Sequence, residues 1–164
     1  MRFRKFLICF LWSWVSVLSV LCAAEVDEMV APEGEPSSAV GDEFTRDWMA
    51  DWYSNAEGYA RALADYEQTH RPMAVYMDAK WCPYCRVFEK NVLSDPRVRR
   101  FMRDVIKVKI NPEAGRREHA IATRYGIMGY PSFFVHPPNQ SKTIQLYTGV
   151  SPEQFIKLFK KTLK

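Results

Sequence analysis

Glycine is sparse in this sequence of 164 residues, with 7 against 10 prolines, too few of either for a low-complexity or collagen-like chain. No internal repeat is present, which excludes a solenoid or an array. Histidine occurs three times, as His70, His119 and His136, each standing alone. No second Cys-x-x-Cys accompanies the one at Cys82 and Cys85, so the four-ligand spacing of a structural zinc centre is missing and no metal site is expected. Lys and Arg are absent from residues 25–45. What remains is an ordinary globular balance of 48% apolar and 26% charged residues, long enough for one domain with a buried core.

The first 24 residues stand apart. Arg2, Arg4 and Lys5 precede an uncharged, almost wholly apolar run over 6–21, and Cys22-Ala23-Ala24 follows. That is the three-part plan of a secretory signal peptide ending at Ala24. The alternatives are an uncleaved membrane anchor, for which the run is a little short against the roughly 20 residues a spanning helix needs, and a lipid-modified Cys22, which the bulky Leu21 before it disfavours. Residues 25–45 carry seven acids and Pro32, Gly34, Pro36, Ser37 and Ser38, and read as an acidic flexible linker. Three of the 23 basic residues lie in the signal and seven of the 19 acidic ones in the linker. The domain expected over 46–164 therefore holds 20 basic and 12 acidic residues.

Loss of the signal removes Cys9 and Cys22 and leaves Cys82 and Cys85 alone in an oxidising compartment. A disulfide between them closes a very small loop and takes little entropy from the unfolded chain. A reactive pair accounts for it better than a structural staple.

The domain reads as alternating elements. A helix is expected from Ser54 or Asn55, as cap, to about 68, with Tyr59, Leu63 and Tyr66 on one face. Residues 47–53, with Trp48, Trp52 and Tyr53, fit either a strand or a helical turn. An apolar strand is expected over 73–77, a helix over 82–93 with Val87, Phe88 and Val92 inward, and a second helix over 96–103 behind Ser94-Asp95-Pro96. Period-two alternation over 105–110 predicts a half-buried strand. A helix over 113–125 ends at Gly126. Strands over 132–135 and 143–148 form a hairpin about Pro137-Pro138-Asn139-Gln140, and Ser151-Pro152-Glu153 opens the last helix, with Phe155, Ile156 and Phe159 as its stripe. This order gives an α/β domain with a mixed central sheet and helices on both faces.

Trp81-Cys82-Pro83-Tyr84-Cys85 follows the 73–77 strand and opens a helix. Unpaired N–H groups and the macrodipole at a helix start favour negative charge, so a stabilised Cys82 thiolate is expected, with Lys80 and Arg86 adding to it. Cys82 can attack a disulfide, and Cys85, one turn further on, can resolve the mixed disulfide. Pro83 suits the first helical turn, where its missing N–H is harmless.

Gly129-Tyr130-Pro131-Ser132 then stands just before a hydrophobic strand. Trp-Cys-x-x-Cys followed by Gly-x-Pro before such a strand resembles the thioredoxin superfamily. More narrowly, residues 78–90 with Ser94-Asp95-Pro96-Arg97-Val98 are similar to its exported branch, which includes the C-terminal domain of the interchange protein DsbD. Tyr147-Thr148-Gly149-Val150 resembles the family's closing strand and glycine. The resemblance implies a thioredoxin-like fold, a cis bond at Pro131 packed on the cysteine pair, and pairing of the Tyr130 backbone with a bound substrate, with Trp81, Pro83, Tyr84, Tyr130 and Pro131 as the substrate-binding set. It implies an exported, periplasmic thiol–disulfide oxidoreductase, a reductase more than an oxidase. No cofactor is expected beyond the redox-active disulfide. The expected partners are protein thiols and disulfides and an upstream membrane or soluble redox donor, not nucleic acid, and the chain is expected to be a monomer. Thioredoxins place a buried Asp six residues before the first cysteine. Here that position is Tyr76, and Asp78, on the same side of the strand by alternation, is the candidate for tuning the pair together with Lys80.

A thioredoxin-fold binding module or maturation factor for one client, with little turnover, is the alternative function. A disulfide isomerase is a third reading, set back by the lack of a dimerising region in 25–45. Arg97, Arg99, Arg100, Arg103, Lys107 and Lys109 read as a solvated basic face, or else as a dock for an acidic partner. Trp48, Trp52, Tyr53 and Tyr59 read as core or edge cover, and Trp81 as a lining of the exposed site.

Overall fold

The computed structural model of the protein describes residues 47–164; the segments read as signal peptide and acidic linker lie outside the described residues. After a turn at 48–51, the chain runs β1 (Tyr53–Ser54), α1 (Asn55–Thr69), β2 (Met73–Met77), α2 (Pro83–Phe88), a π-helical turn (Glu89–Leu93), α3 (Pro96–Phe101), a 3-10 turn (Met102–Asp104), β3 (Ile106–Ile110), α4 (Arg116–Tyr125), β4 (Ser132–His136), β5 (Ile144–Leu146) and α5 (Pro152–Thr162). The strands form one mixed sheet in the order β1-β3-β2-β4-β5. β1, β3 and β2 are parallel, β4 runs antiparallel to β2 with Met77 opposite Ser132 and Met73 opposite His136, and β5 returns beside β4.

Helices cover both faces. One face carries Ala74, Tyr76, Phe133 and Val135 against Phe88, Val92, Val98, Met102, Phe155 and Phe159 of α2, α3, α5 and the turns between. The other carries Met73, Val75, Met77, Val108 and Phe134 against Ala56, Tyr59, Ala62, Ile121 and Ala122 of α1 and α4. Each fully buried large apolar side chain contributes roughly 1.5–3 kcal/mol, and the Phe88, Phe133, Phe155 and Phe159 rings add edge-on contacts. Among the described residues no helix is long and apolar enough to cross a membrane.

Local chemistry sets the helix ends. Asp95 accepts from the Arg97 N–H at 2.8 Å ahead of Pro96. Ser151 and Gln154 close a reciprocal capping box around Pro152. Gly126 ends α4 at φ 62°, a left-handed conformation that glycine adopts without strain. Ser54 occupies the cap position of α1 without a side-chain bond; the Ala56 N–H donates to Glu118 of α4 at 3.0 Å, so a distant carboxylate caps that helix.

Several expectations change. The 82–93 helix is α-helical only to Phe88 and widens into a π turn over Glu89–Leu93, and Val87, expected inward, is exposed while Phe88 and Val92 are buried. The helix expected over 113–125 begins at Arg116. β3 is not half-buried: it lies between β1 and β2 with both faces covered, and only Lys109 is even partly exposed. Lys107 therefore leaves the expected basic face. It is buried, donating to the Met102 carbonyl at 3.0 Å and pairing with Asp51 at 2.7 Å. Lys109 leaves it as well, for the cluster described below.

Candidate active site

β2, the central strand, delivers the chain to Cys82 beyond its C-terminal end. Cys82 is the N-cap of α2 and Pro83 its first residue. The extended backbone at Cys82 turns its sulfur toward the helix start, where Sγ accepts from the Cys85 N–H at 3.1 Å. This is the position at which a thiolate would find a backbone donor once the pair is reduced. Cys82 and Cys85 form a disulfide with their Cα atoms 5.3 Å apart. Both are only 2% exposed and pack with Ala79 and Tyr130, so the expectation of an openly exposed Cys82 is not met in this oxidised state.

The rim is apolar and open. Trp81 is 64% exposed, Tyr84 74% and Met128 fully so. The Trp81 indole stands edge-on to Tyr130 and donates to the Glu113 carboxylate at 3.0 and 3.1 Å, which ties the cysteine loop to the segment after β3. The Tyr130–Pro131 peptide bond is cis. The β2–β4 ladder ends at Met77 opposite Ser132, so Tyr130 lies beyond its last pair, while the Ser132 hydroxyl donates to the Gly129 carbonyl at 2.8 Å. Thr148 donates to the Pro131 carbonyl at 3.5 Å. A cleft of about 500 Å³ continues from Tyr130 past Gly129, Met128, Thr123, His119 and Pro112. Lys80 is exposed, and its carbonyl accepts from the Arg86 guanidinium at 3.1 Å.

Behind the pair lies a polar cluster. The Lys109 ammonium reaches Glu89 at 2.8 Å and Asp78 at 3.2 Å, and sits 5.6 Å from the centre of the Tyr76 ring. The fully buried Tyr76 donates its hydroxyl to Glu89 at 3.1 Å. Burial pushes the Asp78 carboxyl up against the lowering pull of Lys109. Burial acts to lower Lys109, but the Glu89 and Asp78 carboxylates overcome it and hold the ammonium above its usual value. Burial, with Glu89 and Asp78 behind it, raises the Tyr76 hydroxyl far above the ordinary phenol range, so it stays protonated. The sequence reading did not single out Glu89 or Glu113. For Glu89 a signal existed, since it lies four residues after Cys85 on the helix face that also holds Phe88. For Glu113 no signal existed, because its bond to Trp81 spans 32 residues.

Fold and site together define a thioredoxin-fold domain bearing a Cys-x-x-Cys disulfide opposite a cis proline. The chain belongs to the thioredoxin-like family: the model of that family matches residues 51–138, more than half of the chain. It is 28% identical over 112 residues to the thiol:disulfide interchange protein DsbD of Haemophilus influenzae strain PittGG, an alignment covering 66% of this chain and 19% of that protein. The chain thus spans less than a fifth of that curated relative. Among solved structures it is similar to a Thermus thermophilus thioredoxin, at 24% identity and TM-score 0.57, covering 68% of this chain and 87% of that one. It is also similar to the oxidised C-terminal domain of Neisseria meningitidis DsbD, at 22% identity and TM-score 0.52, covering 65% and 92%. These two likenesses show the fold.

Proposed function

We propose that the chain is an exported thiol–disulfide oxidoreductase that exchanges disulfides with protein substrates in the periplasm, working as a reductase. The observation that carries this reading is the Cys82–Cys85 disulfide at the start of α2, with Cys82 Sγ on a backbone N–H and the cis Tyr130–Pro131 bond beside it. Likeness to the interchange protein DsbD and the basic, apolar, small-residue order of residues 1–24 support the compartment.

In the reductive direction the Cys82 thiolate attacks a substrate disulfide, and one substrate sulfur leaves as a thiolate. Cys85 then attacks Cys82, the internal disulfide forms, and the second substrate sulfur leaves. Two electrons have passed to the substrate, and an external dithiol donor must return them to the pair. Trp81, Tyr84 and Met128 give this exchange an apolar rim on which a partly unfolded segment can settle.

The full-length protein, supplied with a dithiol donor, is expected to reduce insulin disulfides, and Cys82→Ser to abolish the reaction. Full activity in Cys82→Ser would rule the reading out. Cys85→Ser should accumulate mixed disulfides with several proteins. A single noncovalent partner and no covalent adduct would favour a binding module instead.

A further inference from the structure

Charge is divided unevenly between the two helix layers. α1 and α4, on one face of the sheet, hold four basic and four acidic residues. The layer on the other face, over 83–104 and 152–164, holds ten basic and four acidic ones. Lys107 and Lys109 turn away from this surface, but the arginines of 97–103 remain, and α2 and α5 extend them.

Three of the four acids in the layer are already engaged. Glu89 turns inward to Tyr76 and Lys109, and Asp95 and Glu153 both bond Arg97. The Arg97–Glu153 pair also joins α3 to α5. So do the Phe101 and Phe159 rings, 5.3 Å between centres, and the Lys160 ammonium, 5.7 Å from the centre of the Phe101 ring. The two helices thus present one surface, on which Arg100, Arg103, Lys157, Lys160 and Lys161 are exposed.

That surface runs into the rim of the disulfide. Lys80 precedes Trp81, and its carbonyl accepts from the Arg86 guanidinium at 3.1 Å. Lys90 follows one turn beyond Arg86, and all three are exposed. Beside them Tyr84 and Val87, three residues apart on the outer side of α2, are 74% and 55% exposed. An apolar centre with a charged border is the anatomy of a protein interface. A field of one sign raises the rate of encounter with a partner of the other sign. A membrane laid on this layer would cover Tyr84 and the approach to the cysteines, where a substrate sulfur has to arrive.

We propose that the α2–α3–α5 layer docks the protein that exchanges disulfides with the pair, and that this partner is acidic around its own cysteine. The proposal rests on reading the pair as an exchange enzyme. Tyr84 and Val87 meet the apolar surroundings of the partner's cysteine. Arg86 and Lys90 meet the carboxylates bordering it, and the charges of α3 and α5 steer its approach from further out. Lys90 and the α3 and α5 charges act on docking alone, so they matter at low ionic strength and only for a charged partner.

The test uses full-length protein carrying Cys9→Ser and Cys22→Ser, so that only the pair reports. Two peptides of about twelve residues each carry a central cysteine as its thiopyridyl disulfide, one flanked by glutamates and the other by lysines. Each half of such a peptide spans roughly 20 Å when extended. Release of thiopyridone by the reduced protein is followed in a stopped flow, and each rate is divided by that of the same peptide with mercaptoethanol. At about 20 mM salt the glutamate peptide is expected to react at least about tenfold faster than the lysine peptide, and the ratio to collapse toward one near about 0.5 M. The combined variant Lys90→Glu, Arg100→Glu, Lys157→Glu is expected to lose at least about fivefold with the glutamate peptide. It should keep the parent's rate with uncharged dithiodipyridine, which also shows that the pair is intact. Lys80 and Arg86 stay in place because they flank the cysteines. Arg61→Glu, Arg117→Glu, Arg124→Glu makes the same change in net charge on α1 and α4 and should keep the parent's rate with the glutamate peptide. Equal rates for the two peptides at low salt would overturn the proposal, as would equal losses in the two combined variants. Binding to phosphatidylglycerol vesicles that the first variant abolishes, with its peptide rates unmoved, would give the layer to a membrane and overturn it too. No reaction of the parent with dithiodipyridine would instead defeat the exchange reading itself.

Discussion

Two polar clusters are buried on opposite faces of the same sheet, at opposite ends of β2 and β4, and they are built on different principles. The cluster beside the disulfide gathers two carboxylates, one ammonium and a tyrosine: Asp78, Glu89, Lys109 and Tyr76. The cluster at the far end is a chain of neutral groups. The Tyr59 and Tyr125 hydroxyls meet at 3.0 Å, Tyr125 meets His136 Nε2 at 2.6 Å, and Tyr66 stands edge-on to the imidazole. Burial lowers His136 to about 4, so the ring is neutral near pH 7 and its Nε2 accepts from Tyr125, which can in turn accept from Tyr59. The far cluster carries no net charge. The near cluster carries an excess carboxylate and an unpartnered oxygen. A closed neutral network answers to pH only through its single imidazole, whereas a network with an excess carboxylate answers through every charge it holds.

The charged cluster should be the easier to break. Lys109→Met removes the one cation that serves both carboxylates and leaves them facing each other in a largely buried site. The expected loss is on the order of 3 kcal/mol at pH 8, the scale for removing one partner of a buried ion pair, read by urea unfolding. The loss should shrink under acid, where a carboxyl can take a proton in place of the lost ammonium. A variant as stable as the parent at pH 8 would show that the cluster is effectively solvated.

The neutral cluster responds to acid in its own way. The folded value for His136 lies below the unfolded one near 6.5, so the unfolded chain binds more protons between the two. The associated stability is fully present above about pH 6.5 and is lost as the pH falls toward 4, by roughly 2–3 kcal/mol at full effect. His136→Gln should cost stability at pH 7 and converge on the parent near pH 4. Denaturation curves that stay parallel between those limits would remove His136 from the account.

Much of this architecture can be read in one dimension, and the failures share a cause. Cys82 and Cys85 after the 73–77 strand, Pro131 ahead of 132–135, and Ser151-Pro152 at the last helix are local signals, each carried by adjacent residues whose chemistry needs no distant partner. The alternation of 105–110 misleads because it counts lysine as solvent-facing. β3 is instead interior, and Lys107 is buried because the Met102 carbonyl and the distant Asp51 satisfy it. The near cluster was legible only in Asp78, since Tyr76 and Lys109 converge on Glu89 from 13 and 20 residues away along the chain, through sheet and turn. Val87 shows the same limit at smaller scale: its spacing fits the inward stripe, but only the placement of α2 against the sheet selects Phe88 instead.

The smallest expected effect is the most pointed test of the contrast. In the folded protein the Asp78 carboxyl is held above its unfolded value, with burial the leading cause. The native state therefore binds that proton more tightly than the unfolded chain does. The penalty for ionising Asp78 is absent below the unfolded value, is fully present above the folded one, and is relieved as the pH falls. Asp78→Asn has nearly the same shape, removes the charge, and leaves Lys109 its bond to Glu89. At pH 8 the variant should match the parent or exceed it by up to about 1 kcal/mol, with the gain fading toward acid. Chemical denaturation at pH 5 and pH 8 measures this directly. A loss above about 2 kcal/mol at pH 8 would mean that the carboxylate belongs to the fold as a structural ion pair. A neutral or positive result means that folding gains nothing from the charge on Asp78.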